Sequence, residues 1–395
     1  MYEQFCGLAE APFSTRRAYG VVCCINNVRQ MTNSLLLACA AALVLTGVSA
    51  CGGGGGGSAS TSPPTAAATR TWSLGFSAIP PRLTTAAVLQ GIDLWSQRAE
   101  LAAIHEELPW TDLLGGIMTP DAILDRDKVQ LVDYMRGKGL KLYFMADLTD
   151  GLSRDKEAPQ LRALNSSITE PAVQQAYRNY MLAVQRKLHP EFIGLAAETN
   201  LIRVAAPSAV YAAVVTATNG AAADLRAAGS AATLMFSVQV ETAWGLLPSN
   251  ANYIGVEQDF TDFPFAQMLG LSSYPYFAFA QPEDIPINYY GRLPNGRTLP
   301  VMVVEGGWTS ATAGTIQSSP ELQARYITRH AQLLDAVGAR GLIQLVFADI
   351  DLASIPPPIP SNLPLFINIG LTDSDFNAKP ALAVWDALHA RRLLP

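Results

Sequence analysis

From Thr71 onward the chain repeats one pattern: a short, nearly unbroken apolar run, then a longer stretch in which apolar residues recur every three or four positions. The short runs predict strands at 71–77, 100–104, 140–146, 192–197, 232–238, 268–273, 299–304 and 341–347. Most are continuous rather than alternating, which fits parallel strands covered on both faces. The stretches of helical period predict helices over 84–99, 121–138, 171–188, 208–228, 320–337 and 379–391. Pro171 and Pro320 stand where a first-turn proline belongs, because the missing N–H has no helical partner there. Gly139 and Gly229 follow helices as stops.

Eight strand units in this order predict an α/β protein, a (β/α)8 TIM barrel forming one domain over 71–395. An open doubly wound sheet has the same local alternation and is the structural rival. No GxGxxG follows the first strand, and eight units is the number at which a barrel closes.

Before Thr71 the pattern changes. An apolar run at 35–45 leads through small residues to Cys51; it is short for a membrane span and has the length of a signal-peptide core. Val48-Ser49-Ala50-Cys51 resembles the bacterial lipobox, which implies a lipidated Cys51 and an anchor to a membrane rather than a span. The expected location is the bacterial cell envelope; an ordinary secretory signal cleaved after Ala50 is the alternative. The first 27 or so residues do not resemble a leader, whereas Arg29 supplies the charge a leader wants, so translation is expected to start near Val28. Glycine, serine, threonine and proline dominate 51–70, which reads as a flexible tether.

Charge and rare residues narrow the chemistry. The net charge of −6 and the lack of a Lys/Arg cluster exclude a phosphate-binding stripe, so no nucleic-acid partner is expected. All five cysteines (Cys6, Cys23, Cys24, Cys39, Cys51) precede the barrel, which excludes a disulfide framework or thiolate metal site within it. "HEELP" at 105–109 is not HExxH, since Pro109 holds the last position, and neither GxSxG nor a P-loop occurs. No metal or cofactor is expected, and a monomer is.

In a barrel, chemistry sits where strands end. The residues there are His105, Glu106, Glu107 and Trp110 after the second strand, and Asp147 after the third. Glu198 and Asn200 follow the fourth; Gln239, Glu241 and Trp244 follow the fifth. Ser273, Tyr274 and Tyr276 follow the sixth, Glu305 and Trp308 the seventh, and Phe347 and Asp349 the eighth. Two glutamates, Glu198 and Glu305, end apolar runs on strands that lie nearly opposite in a closed barrel. Glycoside hydrolysis needs such a pair, with ~5 Å between the carboxyls for retention and ~6.5–9.5 Å for inversion. Each candidate also has a structural reading: Glu305 and Glu198 paired with basic groups, Tyr274 packed in the core, the tryptophans as rim packing, His105 as a hydrogen-bonded core residue, Asp147 and Asp349 as loop caps.

The ordered motifs resemble glycoside hydrolase clan A. "LGLSSYPYF" is similar to the sixth strand of endo-β-1,4-galactanases, "VVEGGW" to their nucleophile strand, and "AKPALAVWDAL" to a common closing helix. The resemblance implies that Glu305 is the nucleophile, Glu198 the acid/base and Tyr274 the hydrogen-bond partner of the nucleophile. It implies a carbohydrate substrate, which the strand-end positions assign to Trp308, Trp244, Trp110, Asn200, Asp147, Tyr276, Asp349 and His105 as candidate contacts. Three departures stand out: Ala197 replaces the asparagine before the acid/base, Phe347 replaces a tryptophan ending the last strand, and the second strand lacks the clan's arginine. Asn200, two residues after Glu198, is the candidate substitute donor. The expectation is a membrane-anchored retaining glycosidase; a non-catalytic glycan-binding lipoprotein is the alternative, favoured by Ala197.

Overall fold

The computed structural model describes residues 69–247 and 252–395. Cys51, the leader and the tether expected from the sequence lie outside the described residues.

Eight parallel strands close into a barrel: β1 Ser73–Ser77, β2 Leu101–Glu107, β3 Lys141–Asp147, β4 Phe192–Gly194, β5 Thr233–Gln239, β6 Met268–Ser273, β7 Val301–Gly306 and β8 Gly341–Gln344. Each pairs with its neighbours in sequence, and β8 pairs with β1. Closure removes the sheet edges that the open-sheet alternative would leave. No helix among the described residues is long and apolar enough to cross a membrane.

The long helices form where period and caps agree. The helix Pro320–Val337 has Pro320 in its first turn, Ser319 as N-cap accepting from the Leu322 N–H at 3.2 Å, and Gly338 in the left-handed region at its end. It buries Tyr326, Ile327, His330, Ala331 and Leu334 on one stripe. The helix expected over 121–138 is instead two, Pro120–Asp127 and Val129–Gly137, broken at Lys128. Lys128 leaves helical geometry there and is buried, its ammonium paired with Glu106. Between β6 and β7 only short 3-10 turns occur.

Two layers of core follow from alternation along the strands. Leu101, Ala103, Tyr143, Met145, Met235, Met268, Met302, Val304 and Ile343 form a small cluster, which the closed topology places inside the barrel. The larger cluster lies between barrel and helices. There Phe76 packs on Trp385 of the closing helix at 4.7 Å, on Phe347 at 5.3 Å and on Trp95 at 5.9 Å. Each such aromatic pair adds about 0.5–1.5 kcal/mol to the burial itself. Phe347 is thus core packing. β8 stops at Gln344, three residues short of the expected strand.

Candidate active site

The inward alternation that packs the lower barrel with methionines turns polar at its C-terminal end. On β2 the sequence Leu101, Ala103, His105 faces in; on β3, Tyr143, Met145, Asp147. On β6, Ser272 follows Met268 with the same parity.

Glu305 reaches this layer only through an irregularity. Met302 and Val304 face the interior, so strict alternation would turn Glu305 outward toward the helices. The pairing of β7 with β6 shifts between Val303 and Glu305, setting Glu305 beside the inward Ser272. One extra residue in the strand re-aims one carboxylate. Of the Gly306–Gly307 pair after it, Gly306 is sterically required: a Cβ there would lie 2.3 Å from the Ser273 carbonyl oxygen, whereas one on Gly307 would press on the Gln344 side-chain amide at 2.8 Å.

Glu198 arrives by a different route. β4 ends at Gly194, earlier than expected, and Glu198 adopts φ 49° and ψ 47° just before the helix Thr199–Ala205. A non-glycine residue in this left-handed region costs about 1–2 kcal/mol, held here by surrounding bonds. Its N–H donates to Ser237 Oγ at 2.9 Å, and its carbonyl accepts from Leu201 and Ile202.

The side chains then assemble into one buried network. Tyr274 Oη donates to Glu305 Oε1 at 2.6 Å, the contact expected from the sequence, and His105 Nδ1 lies 3.1 Å from Glu305 Oε2. His105 Nε2 lies 3.2 Å from Asp147 Oδ2. Asp147 is paired with Arg154, whose Nε donates to Glu198 Oε2 at 2.9 Å. Ser272 Oγ donates to Glu198 Oε1 at 2.8 Å, and because Ser272 is also the neighbour of Glu305 across the sheet, it joins the two glutamates. Both glutamates are 2% exposed.

Electrostatics separate the members. Burial alone would lower the basicity of His105, but carboxylates at both ring nitrogens outweigh it and raise the pKa to about 9. Geometry gives the same answer: a neutral imidazole carries one N–H and would turn a lone pair toward one carboxylate. Burial raises the Glu198 pKa to about 7, against the opposing pull of Arg154 and with repulsion from Glu305 added. For Asp147, burial is overcome by Arg154 and His105, and the pKa is lowered. With Arg154 and His105 charged, the cluster is electrically balanced when Asp147 and Glu305 are ionised and Glu198 carries a proton. A buried site favours that neutral sum.

The other sequence candidates divide. Trp308 is buried, 1% exposed, against Tyr326 and Tyr276, its Nε1 donating to Ser318 Oγ at 3.0 Å; Trp110 is fully buried. Neither presents a ring face to solvent. Trp244 is half-buried, stacked on Tyr289 at 5.3 Å with the Arg292 guanidinium 4.8 Å from its ring. Asn200 does not replace the donor missing at Ala197: its Nδ2 donates to the Gln239 carbonyl at 2.9 Å and its Oδ1 accepts from Gln239 and Leu201. Asp349 holds Lys379 Nζ at 2.5 Å and the Gly370 N–H at 3.0 Å, stapling the closing helix. Tyr276 Oη donates to the Leu365 carbonyl at 3.1 Å. Glu241 accepts from Ser273 Oγ, the Tyr274 N–H and Tyr289 Oη, so it fixes the loop that carries Tyr274.

Arg154 is the residue that sequence reasoning missed. It lies in "GLSRDKEAP", a charged run that reads as a solvated loop, yet it is 1% exposed. The available signal was a debt of charge: three acidic residues at strand ends, Asp147, Glu198 and Glu305, demand cations, and His105 is a single one.

No protein-family model matches the chain, and none of the curated proteins does. Solved structures do match. An exo-β-1,4-mannosidase from Opitutaceae bacterium strain TAV5 is 16% identical with a TM-score of 0.59, covering 81% of this chain and 59% of that one. A GH5_18 protein from Bifidobacterium longum subsp. longum, in complex with Manβ1-4GlcNAc, is 13% identical with a TM-score of 0.57, covering 82% of this chain and 80% of that one. A fungal β-1,4-galactanase structure is 16% identical with a TM-score of 0.50, covering 75% and 90%. The chain therefore spans little more than half of the mannosidase chain. What these likenesses establish is the fold, a (β/α)8 barrel.

Proposed function

We propose that this protein is a retaining glycoside hydrolase acting on β-linked, most closely β-1,4-linked, glycans. The observation that carries the reading is the joined pair Glu305–Glu198, two buried carboxyls in one network, of which Glu198 is pushed toward the protonated form by burial and by its neighbour Glu305. Retaining hydrolysis needs one carboxyl of the pair to hold a proton. Glu305 Oε attacks the anomeric carbon while Glu198 gives its proton to the departing glycosidic oxygen, leaving a glycosyl ester on Glu305. Glu198, now a carboxylate, takes a proton from water; the water oxygen displaces Glu305 and the sugar leaves with its configuration retained. Tyr274 and His105 hold the attacking carboxylate in one orientation. The preference for β-1,4 linkages rests on what the mannosidase, the Manβ1-4GlcNAc complex and the galactanase are named for.

The test is purified protein on a panel of β-1,4-linked mannans, galactans and glucans with the matching aryl glycosides. Wild-type protein should cleave at least one; Glu305→Gln should lose at least about 1000-fold of that activity. Glu198→Gln should slow natural linkages far more than activated aryl glycosides, which need little protonation. One observation favours a second reading, a glycan-binding protein without turnover: Ala197 offers no donor beside Glu198, and the amide of Asn200 is committed to Gln239 and Leu201. Binding to a panel member with no cleavage by wild-type protein would select it. The lipid anchor at Cys51 is part of the proposal. Protein made in a bacterial host should sediment with membranes and lose that partition in Cys51→Ser.

A further inference from the structure

A single cation grips Glu198. Arg154 stands on the small hairpin Thr149–Asp150/Ser153–Glu157 that follows β3. Its Nη1 donates to Asp147 and, at 3.3 Å, to Thr149 Oγ1, while Nε donates to Glu198. Other arginines of this chain meet a carboxylate edge-on with both Nε and Nη2: Arg178 with Asp224 at 2.7 and 2.8 Å, Arg126 with Asp127 at 2.5 and 2.7 Å. Glu198 takes only Nε, and Nη2 of Arg154 has no hydrogen-bond partner among the described residues. The remaining carboxyl oxygen of Glu198 is held by Ser272.

We propose that Arg154 is the positioning residue of the acid/base: clamped by Asp147, it fixes the direction of the Glu198 carboxyl and supplies the positive charge against which that carboxyl cycles. The inference rests on reading Glu198 as the acid/base. An acid/base must release and recover one proton in each turnover, so an acid that burial keeps permanently protonated would stall after the first step. Burial and Glu305 both push Glu198 toward the protonated form, and Arg154 opposes them. The hairpin supplies Arg154, β3 Asp147, β2 His105 and β7 Glu305; Ser237 on β5 and Ser272 on β6 are neutral. Below the turn at Glu198, Thr199 Oγ1 and Arg203 are bound to Asp259, at 2.8 and 2.9 Å. Arg154 is thus the one cation hydrogen-bonded to the Glu198 carboxyl among the described residues. The chain Glu198–Arg154–Asp147–His105–Glu305 alternates acidic and basic side chains and links both carboxyls of the pair.

The experiment is a carboxyl 13C NMR titration of the full chain labelled at glutamate Cδ, with Glu198 assigned as the resonance lost in Glu198→Gln. Wild-type Glu198 should titrate near neutrality, and Arg154→Gln should move its midpoint up by about one pH unit or more. Should the glutamine variant fail to fold, Arg154→Lys keeps the charge. One ammonium in place of a planar fork satisfies one carboxylate rather than two, so the midpoint should still rise, by a smaller step. On any cleaved glycan, the alkaline limb of kcat/KM should move by the same amount, which a merely structural role would not produce. An unchanged Glu198 midpoint in a folded variant would overturn the proposal. A midpoint that moves in a protein cleaving no glycan would leave the Arg154–Glu198 coupling standing but overturn the acid/base role with the glycosidase reading, so the two failures are distinguishable.

Discussion

His105 shows how much a single residue position can carry. It stands at the inward end of β2, where the clan's arginine is absent, and bridges Asp147 to Glu305. Its pKa, raised from 6.5 to about 9 in the folded protein, makes it a pH-dependent stabiliser. A cation whose folded pKa is raised contributes fully below its unfolded pKa, and the contribution fades as pH rises through the folded value. The stability gap between wild type and His105→Gln, measured by urea unfolding, should therefore shrink from pH 6.5 to above 9, by on the order of 3 kcal/mol. A constant gap across that range would mean that His105 is not held as an imidazolium. The sequence made His105 visible as a polar residue at a strand end, but its partners were not: Asp147 and Glu305 reach it from two other strands, and no spacing along the chain encodes that. The tryptophans show the opposite failure. Trp110 and Trp308 sit just past strand ends, where a sugar platform and a core ring have the same local signature, and burial decides for the core.

Strands and helices were legible wherever one physical signal dominated. The helices Pro171–Leu188 and Pro320–Val337 match expectation because a first-turn proline and a stable period agree at the same positions. Strand ends were misjudged where function intrudes. β2 runs on through His105, Glu106 and Glu107, polar residues that end an apolar run but keep the pleat. β7 carries the shift that turns Glu305 inward, and a register shift has no sequence signature beyond the Gly-Gly that follows. That pair is where the element can be tested. Gly306→Ala forces a methyl to within 2.3 Å of the Ser273 carbonyl, so β6 and β7 must separate. We expect a loss of about 1–3 kcal/mol and a collapse of activity as Glu305 moves. Gly137→Ala, at a helix end with nothing within 4 Å of the new methyl, should stay within about 0.5 kcal/mol of wild type. Equal effects from the two would show that the approach at Gly306 is not tight.

At the scale of the molecule, a two-stranded sheet outside the barrel ties the segment before the first barrel strand to the segment after the closing helix. Thr69–Arg70, just ahead of the boundary expected from composition, pairs with Arg392–Leu393. Arg70 is buried and binds Glu100 at 2.5 Å and the Trp72 carbonyl at 2.7 Å, while Glu100 also accepts from the Leu74 N–H on β1. Removing 1–68 should leave the melting temperature nearly unchanged, whereas Arg70→Ala should cost about 1–3 kcal/mol, Glu100 being partly exposed to solvent. Eight apolar runs were enough to see the barrel; the cation that completes the site was hidden in a hairpin whose charges read as surface. The claim on which the account turns is that Glu305 attacks an anomeric carbon. It is tested by incubating the protein with activated 2-deoxy-2-fluoro glycosides of mannose, galactose and glucose, whose fluorine slows both steps while the good leaving group keeps the first one fast. Intact-protein mass spectrometry should then find one added fluoroglycosyl unit, mapped by peptide analysis to Glu305 and absent from Glu305→Gln. A protein that stays unlabelled by all three, or that carries the sugar on another residue, would contradict it.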